Sequence, residues 1–396
     1  MIPPPARTPL PAFAFVWFSY FAALGVFNPY APLWFKELGM STLAIGAMAS
    51  LQSWTRIVAP YGWGWLGDRQ GQRVRILRWA SLAAFVAALS LLAVRGHAVV
   101  AICVALLFVA NGGVVPLSEA ALAQHLVRGG VMDHAQYGRV RVWGSLGFIV
   151  AVLLMGWWLE AFGMPLFPIV VAIAFGVLAL ASWRLPQETP AAAVDQTPAP
   201  PVLEVLRRPA VRWFFLTVFL TVLAHTSLYA FLSLYLDELG YGKGAVGALW
   251  AVAVAVEIAA FWTQGRWFGR VSPHRWLELA AALSVLRFVA LAALGQAVLV
   301  LVLAQMLHVV TFAAQHAACI ALVNRHFPGA LRGRGQALYT TLGYGLSGVL
   351  GGVGGGWLSS RLGFEAVFWA ASGSALLAWL AARRAARVDG EDGAVA

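Results

Sequence analysis

Charge is scarce in this chain. Of its 396 residues 11% are Asp, Glu, Lys or Arg, against 61% hydrophobic. A water-soluble domain of that length could not cover so much apolar surface, so the chain has to be read in lipid. Cysteine is nearly missing, and both copies, Cys103 and Cys319, fall inside apolar runs, which argues against a structural disulfide. Metal-ligand spacing is missing too: His308 and His316 share one run without a cysteine or carboxylate at ligand distance. No nucleophile–base motif and no nucleotide-binding loop occurs, so we expect no enzyme activity, no metal and no cofactor. The opening MIPPPARTPLP lacks a short apolar region with a small-residue cleavage site, so no cleaved signal peptide is expected. A receptor would usually add a soluble domain, and the longest stretch outside the apolar runs is a linker.

What is present is about a dozen apolar runs of roughly 20 residues, each long enough to cross a hydrocarbon core of ~30 Å. They begin near Ala12, Thr42, Ile76, Val99, Tyr137 and Pro165, then near Trp213, Gly244, Leu277, Ala297, Gly335 and Ala366. The net charge of +11 could suggest a nucleic-acid partner, but its distribution argues otherwise. Arginines crowd alternate loops: Arg69, Arg73, Arg75 and Arg78 in the first, Arg383, Arg384 and Arg387 in the last. The other loops hold only Lys36, Arg95, Lys243 and Arg361. That asymmetry is the positive-inside rule and puts both termini in the cytoplasm. The basicity is topological.

The chain divides into a first six-span bundle (residues 1–184), a Pro- and Ala-rich cytoplasmic linker (185–211) and a second bundle (212–396). The bundles are related. Glu37 to Arg69 aligns without a gap on Glu238 to Arg270, with 10 of 33 positions identical. Further on, GWWLEAFG (156–163) echoes GWLSSRLG (356–363). Two parallel six-span repeats predict an all-α membrane protein with pseudo-twofold symmetry and a substrate held near midplane.

The costliest residues are charges within spans, at about 2.5–3.5 kcal/mol each by insertion scales. They are Arg56, Glu119, Arg141, Glu257 and Arg287, with His308 as a titratable companion. Glu257 is the lone polar residue of AVAVAVEIAAFW (251–262). At about 1.5 Å rise per residue, Glu257, Arg287 and His308 lie at one depth, so Glu257 is expected to face the other two. Gln305, His308, Thr311 and Gln315 form a polar stripe on span ten; Thr217, Thr221, His225 and Tyr229 form one on span seven. In the first half a kink at Pro116 precedes Glu119, close in depth to Arg141, and Arg141, Ser145 and Phe148 share a face.

Several stretches carry a resemblance. GWLGDRQGQR (64–73) resembles the loop signature of the major facilitator superfamily, G-x-x-x-D-R-x-G, through Gly64, Asp68, Arg69 and Gly71, followed by Arg73. That likeness implies a cytoplasmic gating latch, with Gly64 letting helices approach. The second copy, GRWFGRVSPHR (265–275), lacks the aspartate. VPLSEAA (115–121) and YGRVRVWGSLGF (137–148) resemble spans four and five of proton symporters related to the lactose permease. VEIAAF, SVLRF and LAQMLHVVTF resemble their spans eight to ten. The likeness to the phenylpropionate permease branch is closer and covers nearly the whole chain.

The resemblance implies that Glu119 and Arg141 bind substrate and that Glu257, Arg287 and His308 couple it to protons. Two departures follow. Thr311 stands where the lactose permease has its proton-carrying glutamate, and Gln305 where it has a lysine, so Glu257 or His308 must serve. Arg56 is shared with the phenylpropionate branch and suits an anion better than a sugar. The expectation is a monomeric carrier in a bacterial inner membrane, driven by the proton gradient, importing a small organic solute such as an aromatic carboxylate. Arg141 and Arg56 would hold the carboxylate, and Tyr229 is one aromatic candidate for the ring. A sugar or nucleoside symporter is the first alternative. Efflux by antiport is the second, although GSLGFIVAVLLMGWW (144–158) lacks the proline expected of antiporters.

Overall fold

Inside a bilayer the backbone has no water to bond to, so apolar runs fold as helices that satisfy their own N–H and C=O groups. A computed structural model of the chain describes residues 9–128, 131–187 and 202–395. The first part holds helices α1 (Leu10–Phe27), α2 (Ala31–Glu37), α3 (Thr42–Gln70), α4 (Arg73–Ser90), α5 (His97–Asn111) and α6 (Val114–Leu126). A two-residue antiparallel pairing of β1 (Val127–Arg128) with β2 (Val131–Met132) follows, a small departure from the all-helical expectation. Then come α7 (His134–Phe162), α8 (Phe167–Trp183) and α9 (Val202–Arg207). The remainder comprises α10 (Pro209–Glu238), α11 (Lys243–Trp267), α12 (Pro273–Leu294), α13 (Val298–Met306), α14 (Gln315–His326), α15 (Arg332–Leu338), α16 (Ser347–Leu362) and α17 (Phe364–Val395). Two π-helical segments, Val309–Ala314 and Tyr339–Leu346, join α13 to α14 and α15 to α16.

Among the described residues nine helical stretches are long and apolar enough to cross a membrane. The chain is thus a multi-pass membrane protein. Large apolar side chains such as Ile102, Leu106, Leu180 and Leu299 are exposed, as a lipid-facing surface requires. Most of the expected linker, residues 188–201, lies outside the described residues, as does the start of the chain up to residue 8.

The echoed sequence segments share a backbone device. Gly39 and Gly240 (φ 78° and 83°) follow α2 and α10, while Gly163 and Gly363 (φ 79° and 84°) cap α7 and α16. A side chain at such a φ is strained, which is why glycine ends these helices.

The helices fall into two compact units. One comprises the described residues of 1–28 and 58–194, the other those of 29–57 and 195–396. In the first, α1 packs along α7 so closely that Gly147 sits directly on the backbone of Phe18, with no room for a side chain. In the second, α10 and α12 pack along α17. Here α2 and the start of α3 are bound in as well. Gly46 meets Gly352 and Gly356 backbone to backbone, and Ser50 Oγ donates to the Val349 carbonyl at 2.8 Å. Lys36 Nζ pairs with Asp237 Oδ2 at 2.7 Å.

Candidate functional site

The first unit carries one charged cluster. The helix break before Glu119 lies at Gly112–Gly113 rather than at Pro116, correcting the expected kink. Gly112 and Gly113 pack on Ala59 and Trp63, where a Cβ would collide. Pro116 falls in the first turn of α6, where its missing N–H removes no helical hydrogen bond. Asp133 caps the start of α7 by accepting from the Gln136 N–H at 2.9 Å. Two turns on, Arg141 Nη1 approaches Glu119 Oε1 at 3.3 Å, and Tyr137 Oη donates to the same oxygen at 3.1 Å. The Arg141 guanidinium also lies over the Trp17 ring, 4.5 Å from its centroid. The pair is open: the side chains of Arg141 and Glu119 are 42% and 40% exposed. Ser145 and Phe148, one and two turns further along α7, are half-buried. The parts of Trp17 and Tyr137 were missed by sequence reading; helical spacing put Tyr137 one turn before Arg141, but nothing in the sequence pointed Trp17 at that arginine.

The second unit carries a buried cluster. Arg287 on α12 is wholly inaccessible. Its Nη1 donates to His308 Nδ1 and to Thr311 Oγ1, both at 3.0 Å, and its Nη2 donates to Gln305 Oε1 at 2.6 Å. Guanidinium can only donate, so His308 Nδ1 accepts, and a neutral His308 must carry its proton on Nε2. That nitrogen points to Glu257 Oε1 at 3.9 Å, too long for a hydrogen bond. Glu257 Oε1 is buried with no hydrogen-bond partner among the described residues. The expected three-way contact is therefore modified. The span-ten stripe occupies the arginine's terminal donors, and Glu257 meets the cluster through His308 and the field of Arg287. Beside it, His225 Nδ1 lies 2.8 Å from the Thr221 carbonyl, and Tyr229 stacks on Trp250 at 6.0 Å with 23° between rings.

Arg56 belongs to the second unit, Arg141 to the first. It is exposed, makes no hydrogen bond or ion pair with any described residue, and lies within electrostatic reach of Tyr229 and Tyr344. The expected loop motif is helical through Gln70: in the last turns of α3, Gly64 faces open space, so it permits no close helix approach; Gly67 does, against Leu117. Arg69 lies over Trp65 at 5.1 Å, Gly71 turns the chain at φ 63°, and Arg73 starts α4. The Asp68 side chain lies outside the described residues. A groove between α4 and α8, walled by Leu82, Phe85, Ile173 and Trp183, is apolar and holds none of these charges. Among the described residues no three His, Cys, Asp or Glu gather as a metal site would require.

Comparison with known proteins places these clusters in context. Residues 10–370 match the MFS_1 like family. The chain is 28% identical over 357 residues to a probable 3-phenylpropionic acid transporter of Escherichia coli, covering 89% of this chain and 92% of that protein. It is 27% identical over 285 residues to a maltose permease of Geobacillus stearothermophilus, covering 71% and 70% of the two chains. In three dimensions it is similar to the nucleoside transporter NupG, with TM-score 0.78, 15% identity, and 95% and 98% of the chains covered. It is likewise similar to PepTSo, a POT family transporter, with TM-score 0.78, 12% identity, and 97% and 98% covered.

Proposed function

Since the chain belongs to the MFS_1 like family, we propose that it is a secondary transporter importing a small organic anion with protons. The substrate class is an aromatic carboxylate of the 3-phenylpropionate type. The carrying observation is Arg56: an exposed guanidinium in the middle of α3, with no acid paired to it among the described residues and two tyrosines within electrostatic reach. A cation left unpaired in lipid is costly, and a carboxylate that accepts two parallel N–H bonds removes that cost. Arg141 is the second cation, held by Glu119 and the face of Trp17 so that part of its donor fork stays open. The stacked Tyr229 and Trp250 are aromatic surface for the ring. The E. coli relative, named a probable 3-phenylpropionic acid transporter, supports this substrate class.

In this reading Glu257 carries the proton, and His308 and Arg287 respond to its charge. Thr311 cannot carry a proton as a carboxylate does, but its hydroxyl accepts from Arg287 and keeps the guanidinium oriented. Twelve spans in two related halves, both termini in the cytoplasm and a bacterial inner-membrane site complete the proposal. Three helical stretches beyond the nine apolar ones, Thr42–Gln70, Arg73–Ser90 and residues 332–362, support that reading. The paired cap glycines support the relation of the halves. The carrier works as a monomer with the proton gradient alone, and the latch at the end of α3 gates the cytoplasmic side.

The test is accumulation of labelled 3-phenylpropionate in proteoliposomes under an imposed inward proton gradient, with Arg56→Ala and Arg141→Ala in parallel. Gradient-dependent accumulation that both variants lose supports the reading. A second reading, a sugar or nucleoside symporter, draws on the open Glu119–Arg141 pair, since an acceptor and a donor side by side suit hydroxyl groups. Competition by neutral polyols or nucleosides, and none by aromatic acids, would move the assignment there.

A further inference from the structure

Next to the coupling cluster lies a second chain of polar groups. Tyr344 Oη lies 3.2 Å from Tyr339 Oη, and Tyr339 Oη lies 2.9 Å from His316 Nδ1. Tyr339 is buried; Tyr344 and His316 are partly so. The inner end of this chain, Tyr344, lies within electrostatic reach of Glu257, as Tyr229 does, with no direct hydrogen bond between Glu257 and Tyr344. The outer end leads toward the arginine-rich side. His316 is eight residues past His308, about 12 Å along the helix, in the direction of Arg325. Tyr339 follows Arg332 and Arg334 on the neighbouring stretch, with Tyr344 five residues deeper.

The backbone marks the same residues. Both π-helical segments fall here: Val309–Ala314 holds Thr311 and ends two residues before His316, and Tyr339–Leu346 holds both tyrosines. Single π turns inside helices are rare and concentrate at functional sites. A purely apolar core would gain nothing from three hydrogen-bonding groups in series, one buried and two partly so. Phe312 stacks between His308 (4.9 Å) and His316 (6.0 Å), so the direct route along the helix is blocked by a ring with no exchangeable proton. Any path of exchangeable protons from Glu257 along these side chains therefore runs through the hydroxyls. The other groups facing them are Arg56, within electrostatic reach of Tyr344, Cys319, hydrogen-bonded to Tyr339, and Gln315, whose Nε2 donates to Cys319 Sγ at 3.2 Å.

We propose that Tyr344, Tyr339 and His316 form the proton exit route between Glu257 and the arginine-rich, cytoplasmic side. The inference rests on the proton-coupled reading above. In the release step the Glu257 carboxyl gives its proton to a bridging water, which passes one of its own to the Tyr344 oxygen as the Tyr344 O–H proton passes to Tyr339. The Tyr339 O–H proton passes to His316 Nδ1, and the imidazolium then releases its Nε2 proton to water. Each hydroxyl gains one proton and loses one, so neither tyrosine ends charged.

The decisive experiment is a pH jump on the full-length protein in liposomes, following the protonated-carboxyl infrared band that Glu257→Gln removes. Tyr344→Phe and Tyr339→Phe each keep the ring and delete the relay oxygen. Both are expected to slow the band's change by at least about tenfold with its final amplitude unaltered. His316→Asn should slow it similarly, while Thr340→Val, in the same π segment, should match the wild type. Wild-type rates in both tyrosine variants would overturn the route, as would a wild-type protein with no such band. Labelled 3-phenylpropionate separates this from the transport reading. A slowed relay should cut gradient-driven accumulation yet spare exchange at equal pH, which needs no proton release. If the wild type itself accumulates nothing, the proposed substrate or coupling fails while the infrared rates still decide the relay.

Discussion

The two charged clusters are built from similar residues and solve opposite problems. Arg141 sits in the open, sharing Glu119 with Tyr137 and lying on Trp17, its side chain 42% exposed. Arg287 is sealed, with its terminal donors committed to Gln305, His308 and Thr311. An exposed guanidinium can trade partners with a ligand at little cost. A buried one cannot, because each donor it gives up loses its bond without gaining water. Exposure therefore separates a group that can meet solute from one that holds a charge in place for Glu257 to answer.

The contrast can be broken most forcefully at Arg287. Arg287→Ala strands three buried partners and should cost about 3–5 kcal/mol of stability, read as a large fall in unfolding temperature; Arg141→Ala should leave that temperature nearly unchanged. Equal shifts in the two variants would end the distinction. Next, Arg56→Ala and Arg141→Ala should each weaken 3-phenylpropionate binding by roughly 10- to 150-fold, the value of a charge-assisted hydrogen bond of about 1.5–3 kcal/mol. Calorimetric titration measures it, and Glu257→Gln should bind normally while losing gradient-driven accumulation. Trp17→Leu removes the aromatic face under Arg141. An exposed cation–π contact of about 0.5–1 kcal/mol predicts a two- to five-fold rise in KM with kcat held. The smallest effect belongs to Lys36→Met, since Asp237 also pairs with Lys243 at 3.6 Å and removing it would break both contacts. The Lys36–Asp237 pair is partly exposed, and such pairs contribute about 0.2–1 kcal/mol. A shift much beyond that would mean that the α2 contact is a structural lock rather than a surface pair.

Much of the site could be read before any coordinates. Charges in apolar runs pointed to Glu119, Arg141, Glu257, Arg287 and His308, and helical spacing put Gln305, His308 and Thr311 on one face. That face is the one Arg287 bonds to. Depth counting paired Glu119 with Arg141 correctly. The same counting brought Glu257 to the level of Arg287 but could not tell that Gln305 and Thr311 would take its donors. The sequence marks Arg56 and Arg141 as two cations for one carboxylate; it does not show that packing binds residues 29–57 into the second unit while Arg141 stands in the first. Gly64 was chosen from a motif, whereas the close approach falls on Gly67, whose helix face meets Leu117.

The sequence alone determined that this chain lives in lipid, where its apolar spans lie to within a few residues, and which few residues could not be there without a reason. Those are local matters: the cost of a polar group in hydrocarbon and the conformational freedom of Gly39, Gly163, Gly240 and Gly363 act within a turn or two. The tertiary structure decided who meets whom. Trp17 under Arg141, the π turns around Thr311 and Tyr339, and the gap between Glu257 and His308 depend on how each helix is rotated about its axis. That rotation is set by the summed packing of many neighbours, each contact worth little, so no single stretch of sequence records it.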